Sequence, residues 1–93
     1  MKIKYSPQVN DRDTVSYEFN GAVITATVNG ETDTFDFSSM PNDSIAQNIS
    51  SSLPIIVVTE VKKDSEGELW VTLFKPISFD ATEAERFPDW IDV

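Results

Sequence analysis

The sequence predicts a mainly β domain with one or two short helices: an antiparallel meander of three strands, a second long hairpin, and a short C-terminal helix or tail packed on the sheet. Three observations carry that expectation. Two Asn-Gly pairs, Asn20-Gly21 and Asn29-Gly30, each separate runs rich in β-branched and aromatic residues. A second pair of such runs flanks Asp64-Ser65-Glu66-Gly67. Helix-type signals are confined to residues 38–53 and to the stretch that starts at Asp80.

The elements follow in chain order. Residues 3–9 add an edge strand, a position that tolerates Pro7. Residues 10–13 form a turn. Residues 14–19, 22–28 and 31–37 then form the meander, because both central residues of a type I′ turn need positive φ and Asn-Gly supplies it. A two-residue loop at Asn20-Gly21 pairs Phe19 with Ala22, Tyr17 with Ile24 and Val15 with Ala26. A second at Asn29-Gly30 pairs Ile24 with Phe35 and Ala22 with Phe37. All these side chains fall on one face, since side chains alternate with period two. The other face carries Ser16, Glu18, Val23, Thr25, Thr27, Thr32, Thr34 and Asp36. One face is packed and the other wet.

Between residues 38 and 53 Ser, Asn and Pro dominate. Ile45 and Ile49 are four apart, the spacing of one helix face, and Asn42 or Asp43 is a candidate cap. A helix of about two turns, or a loop, is expected here. Residues 55–63 and 68–76 form the second hairpin. Pairing Lys63 with Glu68 sets Val61 opposite Trp70, Thr59 opposite Thr72 and Val57 opposite Phe74. Asp80-Ala81-Thr82-Glu83 reads as a capping box, and Pro88 ends the short helix that it opens. Phe87, Trp90 and Ile91 are apolar anchors, for the sheet or for a partner.

Composition bounds the function. The 93 residues suit a single domain, 1–93, and a hydrophobic fraction of 40% supplies a core. There is no cysteine and no histidine, which removes disulfides, thiolate zinc sites and imidazole-dependent triads from this chain. The opening Met1 to Pro7 has no apolar run after its two lysines, so no signal peptide is expected, and the apolar run at residues 53–58 is far short of a membrane span. Sixteen acids against seven bases give a net charge of −9. No Lys or Arg lies between Arg12 and Lys62. Direct binding to nucleic acid or to an anionic membrane is therefore not expected.

No catalytic, cofactor-binding or metal-ligating residue is assigned, and no cofactor or enzymatic activity is expected. Asp64, Glu66 and Glu68 alternate around a glycine but lack the twelve-residue calcium loop, and a charged hairpin tip accounts for them. Gly21, Gly30 and Gly67 are each explained by a turn, which leaves no phosphate loop. Lys62 and Lys63 balance Asp64 and Glu66, and Ser50-Ser51-Ser52 reads as linker. The aromatics are the candidates for function. Trp70 suits either the core or a stacking surface, and Trp90 either the core or a partner contact. Phe87, Trp90, Ile91 and Trp70 are thus the candidate interface residues. The Asn-Gly pairs are in addition sites prone to deamidation.

The opening Met1-Lys2-Ile3-Lys4-Tyr5-Ser6-Pro7-Gln8, the runs at residues 17–21 and 29–37, and the ending at residues 80–90 resemble small uncharacterised phage and prophage proteins of Gram-positive bacteria, encoded near tail genes. The resemblance covers most of the chain and carries no motif of known function. It implies a non-enzymatic protein-binding, structural or assembly component, in the bacterial cytoplasm or in the virion. A protein partner is expected and a homo-oligomer is open. The alternatives are an acidic decoy of a host DNA-binding protein and a small carbohydrate-binding module.

Overall fold

The computed structural model describes residues 1–80 and 88–93. Their strands are β1 (Lys2–Val9), β2 (Val15–Asn20), β3 (Val23–Val28), β4 (Glu31–Asp36), β5 (Ser44–Gln47), β6 (Val58–Lys63), β7 (Leu69–Ile77) and β8 (Ile91–Asp92). They form a three-stranded sheet, β2-β3-β4, and a five-stranded sheet, β5-β6-β7-β1-β8. The described residues contain no helix, which corrects the expectation of a β fold with one or two short helices. The helix expected after Asp80 falls on residues 81–87, outside the described residues.

The helix expected between residues 38 and 53 is replaced by β5, which pairs antiparallel with β6. Asp43 and Asn48 bracket it with φ of 58° and 51°, left-handed conformations that no α-helix accommodates. Ile45 and Ile49 therefore do not share a helix face. Ile45 lies exposed on the edge strand, whereas Ala46 points inward opposite Val61.

The meander forms, with one change of register. Asn29 and Gly30 both have positive φ, 51° and 86°, and close the β3–β4 hairpin with Val28 opposite Glu31 and Ile24 opposite Phe35. The β2–β3 turn instead consists of Gly21 and Ala22, with Asn20 paired to Val23. Only Gly21 has positive φ, at 59°, as in a turn of type II′ rather than I′. Phe19 thus faces Ile24, not Ala22, and Tyr17 faces Ala26. A slip of two residues keeps every side chain on its face. Ile24, Ala26, Val28, Phe35 and Phe37 are all buried, as the alternation requires.

The second hairpin differs by a single residue, and here the face does change. Asp64 pairs with Glu68 through its N–H, and the Gly67 N–H donates to the Asp64 carbonyl. Gly67 has φ of 84°. This is a three-residue loop whose last residue is left-handed, so Lys63 pairs with Leu69, Lys62 with Trp70 and Val61 with Val71. Val61 joins the core rather than Trp70. The pairing slips again at Thr59, between Val58–Leu73 and Glu60–Thr72. This bulge turns Val58 to the same side as Val61, although they are three residues apart, and both are buried.

The two sheets share one core. Ile3, Val58, Val61, Leu69, Val71 and Leu73 come from the five-stranded sheet and meet the buried face of the meander. Leu53 and Val57, on the connection between β5 and β6, fill the side. The Tyr17 hydroxyl crosses between sheets and donates to the Phe74 carbonyl, and burial raises its pKa. Among the described residues, the N-terminal strand has a second neighbour only at Lys2 and Ile3 and is an edge beyond them. β1 runs parallel to β7 along its whole length and pairs antiparallel with β8 at Lys2 and Ile3. Pro7 lies in the part of β1 that β8 does not reach, where a missing N–H costs no described ladder bond.

Candidate functional site at the outer face of the five-stranded sheet

The strict alternation of β7 places Leu69, Val71 and Leu73 inward and Trp70 and Thr72 outward. The register then decides their neighbours. Lys2 of β1 and Lys62 of β6 flank Trp70, while Lys4 and Glu60 flank Thr72. The outer face is thus a row of lysine stems beside an indole, with the Glu60 carboxylate among them.

Trp70 is fixed from the hairpin tip. Its indole N–H donates to Asp64 Oδ2 at 2.9 Å. Asp64 Oδ1 accepts the backbone N–H groups of Glu66 and Glu68, both at 2.9 Å. These bonds, with that from Trp70 foremost, hold the Asp64 carboxyl below its usual pKa. The aspartate therefore shapes the turn and orients the ring together.

Trp90 arrives on the C-terminal segment, just before β8. Ile91 pairs with Ile3 and Asp92 with Lys2, and the Lys2 ammonium lies 2.5 Å from Asp92 Oδ1. The hydrogen bond to Asp92 raises the pKa of Lys2. The Val93 N–H closes the corner on the Met1 carbonyl at 3.1 Å. Held in this way, Trp90 meets Trp70 edge to face, with centroids 5.3 Å apart and an interplanar angle of 84°. The Lys4 ammonium lies 5.9 Å from the centroid of the Trp90 ring.

Two open depressions adjoin the pair. One of about 520 Å³ is bordered by Lys4, Tyr5, Glu60, Thr72 and Trp90. The other, about 430 Å³, is bordered by Glu60, Lys62, Asp64, Trp70 and Trp90. They offer aromatic surface, lysine donors and the Glu60 and Asp64 carboxylates side by side. That suits contact with a partially apolar ligand that also carries hydrogen-bonding groups.

Of the four candidate interface residues, three are brought together. Trp70 is half-buried on the outer face, Trp90 is 37% exposed against it, and Ile91 is 46% exposed in β8. Phe87 lies outside the described residues. The sequence reading placed Thr72 on the face of Trp70 but missed Lys4, Glu60 and Lys62 as neighbours of the tryptophans. A three-residue loop ending in Gly67 was the signal that would have placed Lys62 beside Trp70. Among the described residues, no three acidic side chains converge in a manner that could hold a metal ion. Compared with known proteins, the chain matches no family model, no curated protein and no solved structure.

Proposed function

We propose that this chain is a non-enzymatic protein-binding, structural or assembly component of phage or prophage type, which engages a protein partner through the outer face of its five-stranded sheet. The observation that supports this reading is the Trp70–Trp90 corner: two tryptophans, one in β7 and one just before β8, fixed in one place, one of them more than a third exposed. Clustered tryptophan at a surface, rimmed by polar groups, is typical of energetic centres in protein interfaces. The partner is a second copy of this chain or a different protein, and the site of action is the bacterial cytoplasm or the virion.

A carbohydrate-binding role is less well supported, because perpendicular rings, with Lys4 over one of them, present no flat platform for a sugar. A decoy for a DNA-binding protein is less well supported too. The exposed face of the meander carries only Glu18 and Asp36 among hydroxyl and apolar side chains.

The test is the solution mass by light scattering over a range of concentration, for the wild type and for Trp90→Ala. A defined oligomer that Trp90→Ala dissociates supports the reading with a second copy as partner. If the protein is monomeric, a cognate partner from induced cells must bind the wild type and lose affinity for Trp90→Ala. Equal binding by both overturns the proposed face.

A further inference from the structure

Two chemically identical dipeptides, Asn20-Gly21 and Asn29-Gly30, sit at consecutive hairpin turns, the first straddling the end of β2 and the second forming its turn, and the structure treats them differently. The side chain of Asn29 is held at both ends. Its Oδ1 accepts the Thr14 N–H at 2.8 Å, and its Nδ2 donates to Asp13 Oδ1 at 2.8 Å. The Asp13 carboxylate is itself fixed by Asn10 Nδ2 at 2.8 Å. Hydrogen bonds from Asn29 first, and from Asn10, hold Asp13 below its usual pKa, so this acceptor stays charged. Asn20 is exposed, and its side chain has no hydrogen-bond partner in the described structure. Gly21 after it is exposed too, with open space where a Cβ would stand.

We infer that Asn20 is a site of spontaneous, structure-selected deamidation and isomerisation, and that Asn29 is protected. The chemistry needs only water. The Gly21 amide nitrogen, on losing its proton to base, attacks Asn20 Cγ. A C–N bond forms, the Cγ–Nδ2 bond breaks, and ammonia leaves with that proton, closing a succinimide. Water then opens the ring at either carbonyl, giving aspartate or isoaspartate, and the new carboxyl releases its proton. Nothing is oxidised or reduced. Glycine is the residue that least obstructs ring closure, because it has no Cβ.

At Asn29 the same attack requires Cγ to rotate away from both partners. Breaking two hydrogen bonds, one of them to a carboxylate, slows cyclisation there by about thirtyfold relative to Asn20. The product matters for the fold. Isoaspartate inserts a carbon into the main chain at the pair Asn20–Val23, which closes the β2–β3 hairpin. Either product also adds a negative charge to a chain that already carries −9.

The test is peptide mapping by mass spectrometry of the folded protein aged in mildly alkaline buffer, with isoaspartate resolved by chromatography. The expected result is conversion at Asn20 about thirtyfold faster than at Asn29. In urea, where neither turn persists, the two sites convert at comparable rates. Asp13→Ala, which removes the acceptor of Asn29 Nδ2, raises the Asn29 rate and leaves that of Asn20 unchanged. Equal rates at both sites in the folded wild type, or a slower rate at Asn20, overturn the inference.

Discussion

The face to which Val61 belongs decides the architecture of the outer surface, and one added oxygen atom tests it. Val61 is 1% exposed and stands opposite Val71, which is fully buried. Val61→Thr keeps the shape and the β-branching and replaces a methyl by a hydroxyl. Burial of a hydroxyl without a partner costs about 1–3 kcal/mol in proteins. For 93 residues the whole stability is about 5–14 kcal/mol, so the loss is a large share of it. A loss of about 2 kcal/mol lowers Tm by about 8–16 °C in a domain of this size. The control is Lys62→Thr, one residue on and facing solvent, which stays within about 0.5 kcal/mol. Urea unfolding followed by circular dichroism measures both, and an unchanged slope shows that the unfolded state is the same. If Val61→Thr is neutral and Lys62→Thr is the costly change, then β6 is inverted. Lys62 then no longer stands beside Trp70, and the site as described does not exist.

Further outcomes follow from other residues. Tyr17→Phe removes the hydroxyl that joins the two sheets at the Phe74 carbonyl and lowers stability by about 1–2 kcal/mol in the same assay. Gly67→Ala forces a side chain into φ of 84° and costs about 1–2 kcal/mol, although the nearest atom, Asn42 Oδ1, is at an ordinary 3.6 Å. Asp64 has a depressed pKa in the folded state, so its contribution to stability is complete above the ordinary value of 3.8 and is lost as pH falls through the lowered one. Asp64→Asn therefore flattens the acid limb of a stability–pH profile. The profile would remain unchanged if the indole and backbone donors around Asp64 did not favour its charged form.

Much of the fold was legible, and the limits have physical causes. Asn-Gly marks a hairpin strongly, yet it does not say whether Asn sits inside the turn or closes it. The β2–β3 hairpin chose the second, and the even slip preserved the buried set. At residues 64–68 the same ambiguity of loop length was odd, and it moved Lys62 and Glu60 to the side of Trp70. The bulge at Thr59 then restored Val58 to the core, which no reading of alternation reveals. Strand β5 has four residues, too few for a period of two to outweigh the coincidence of Ile45 and Ile49 at helical spacing. Trp70 and Trp90 were legible as candidates, but not as neighbours. Their meeting depends on β1 and β8, paired across the length of the chain, for which no local signal exists.

That pairing sets an order of assembly. The meander contains only hairpins between consecutive strands, so its contacts close short loops and form early. The parallel partner of β1 is β7, with Lys2 joined to Trp70, and nothing nearer in sequence satisfies its backbone. During synthesis β1 emerges well before either of its partners, and its hydrogen-bonding edges stay open until β7 has followed. Its lysines at positions 2 and 4 stand where a bare strand would otherwise invite pairing with a neighbouring nascent chain. The docking of β1 on β7 closes a longer loop than any hairpin in the fold and is expected to be its slowest step, so faster docking is expected to leave less of the chain open to aggregation.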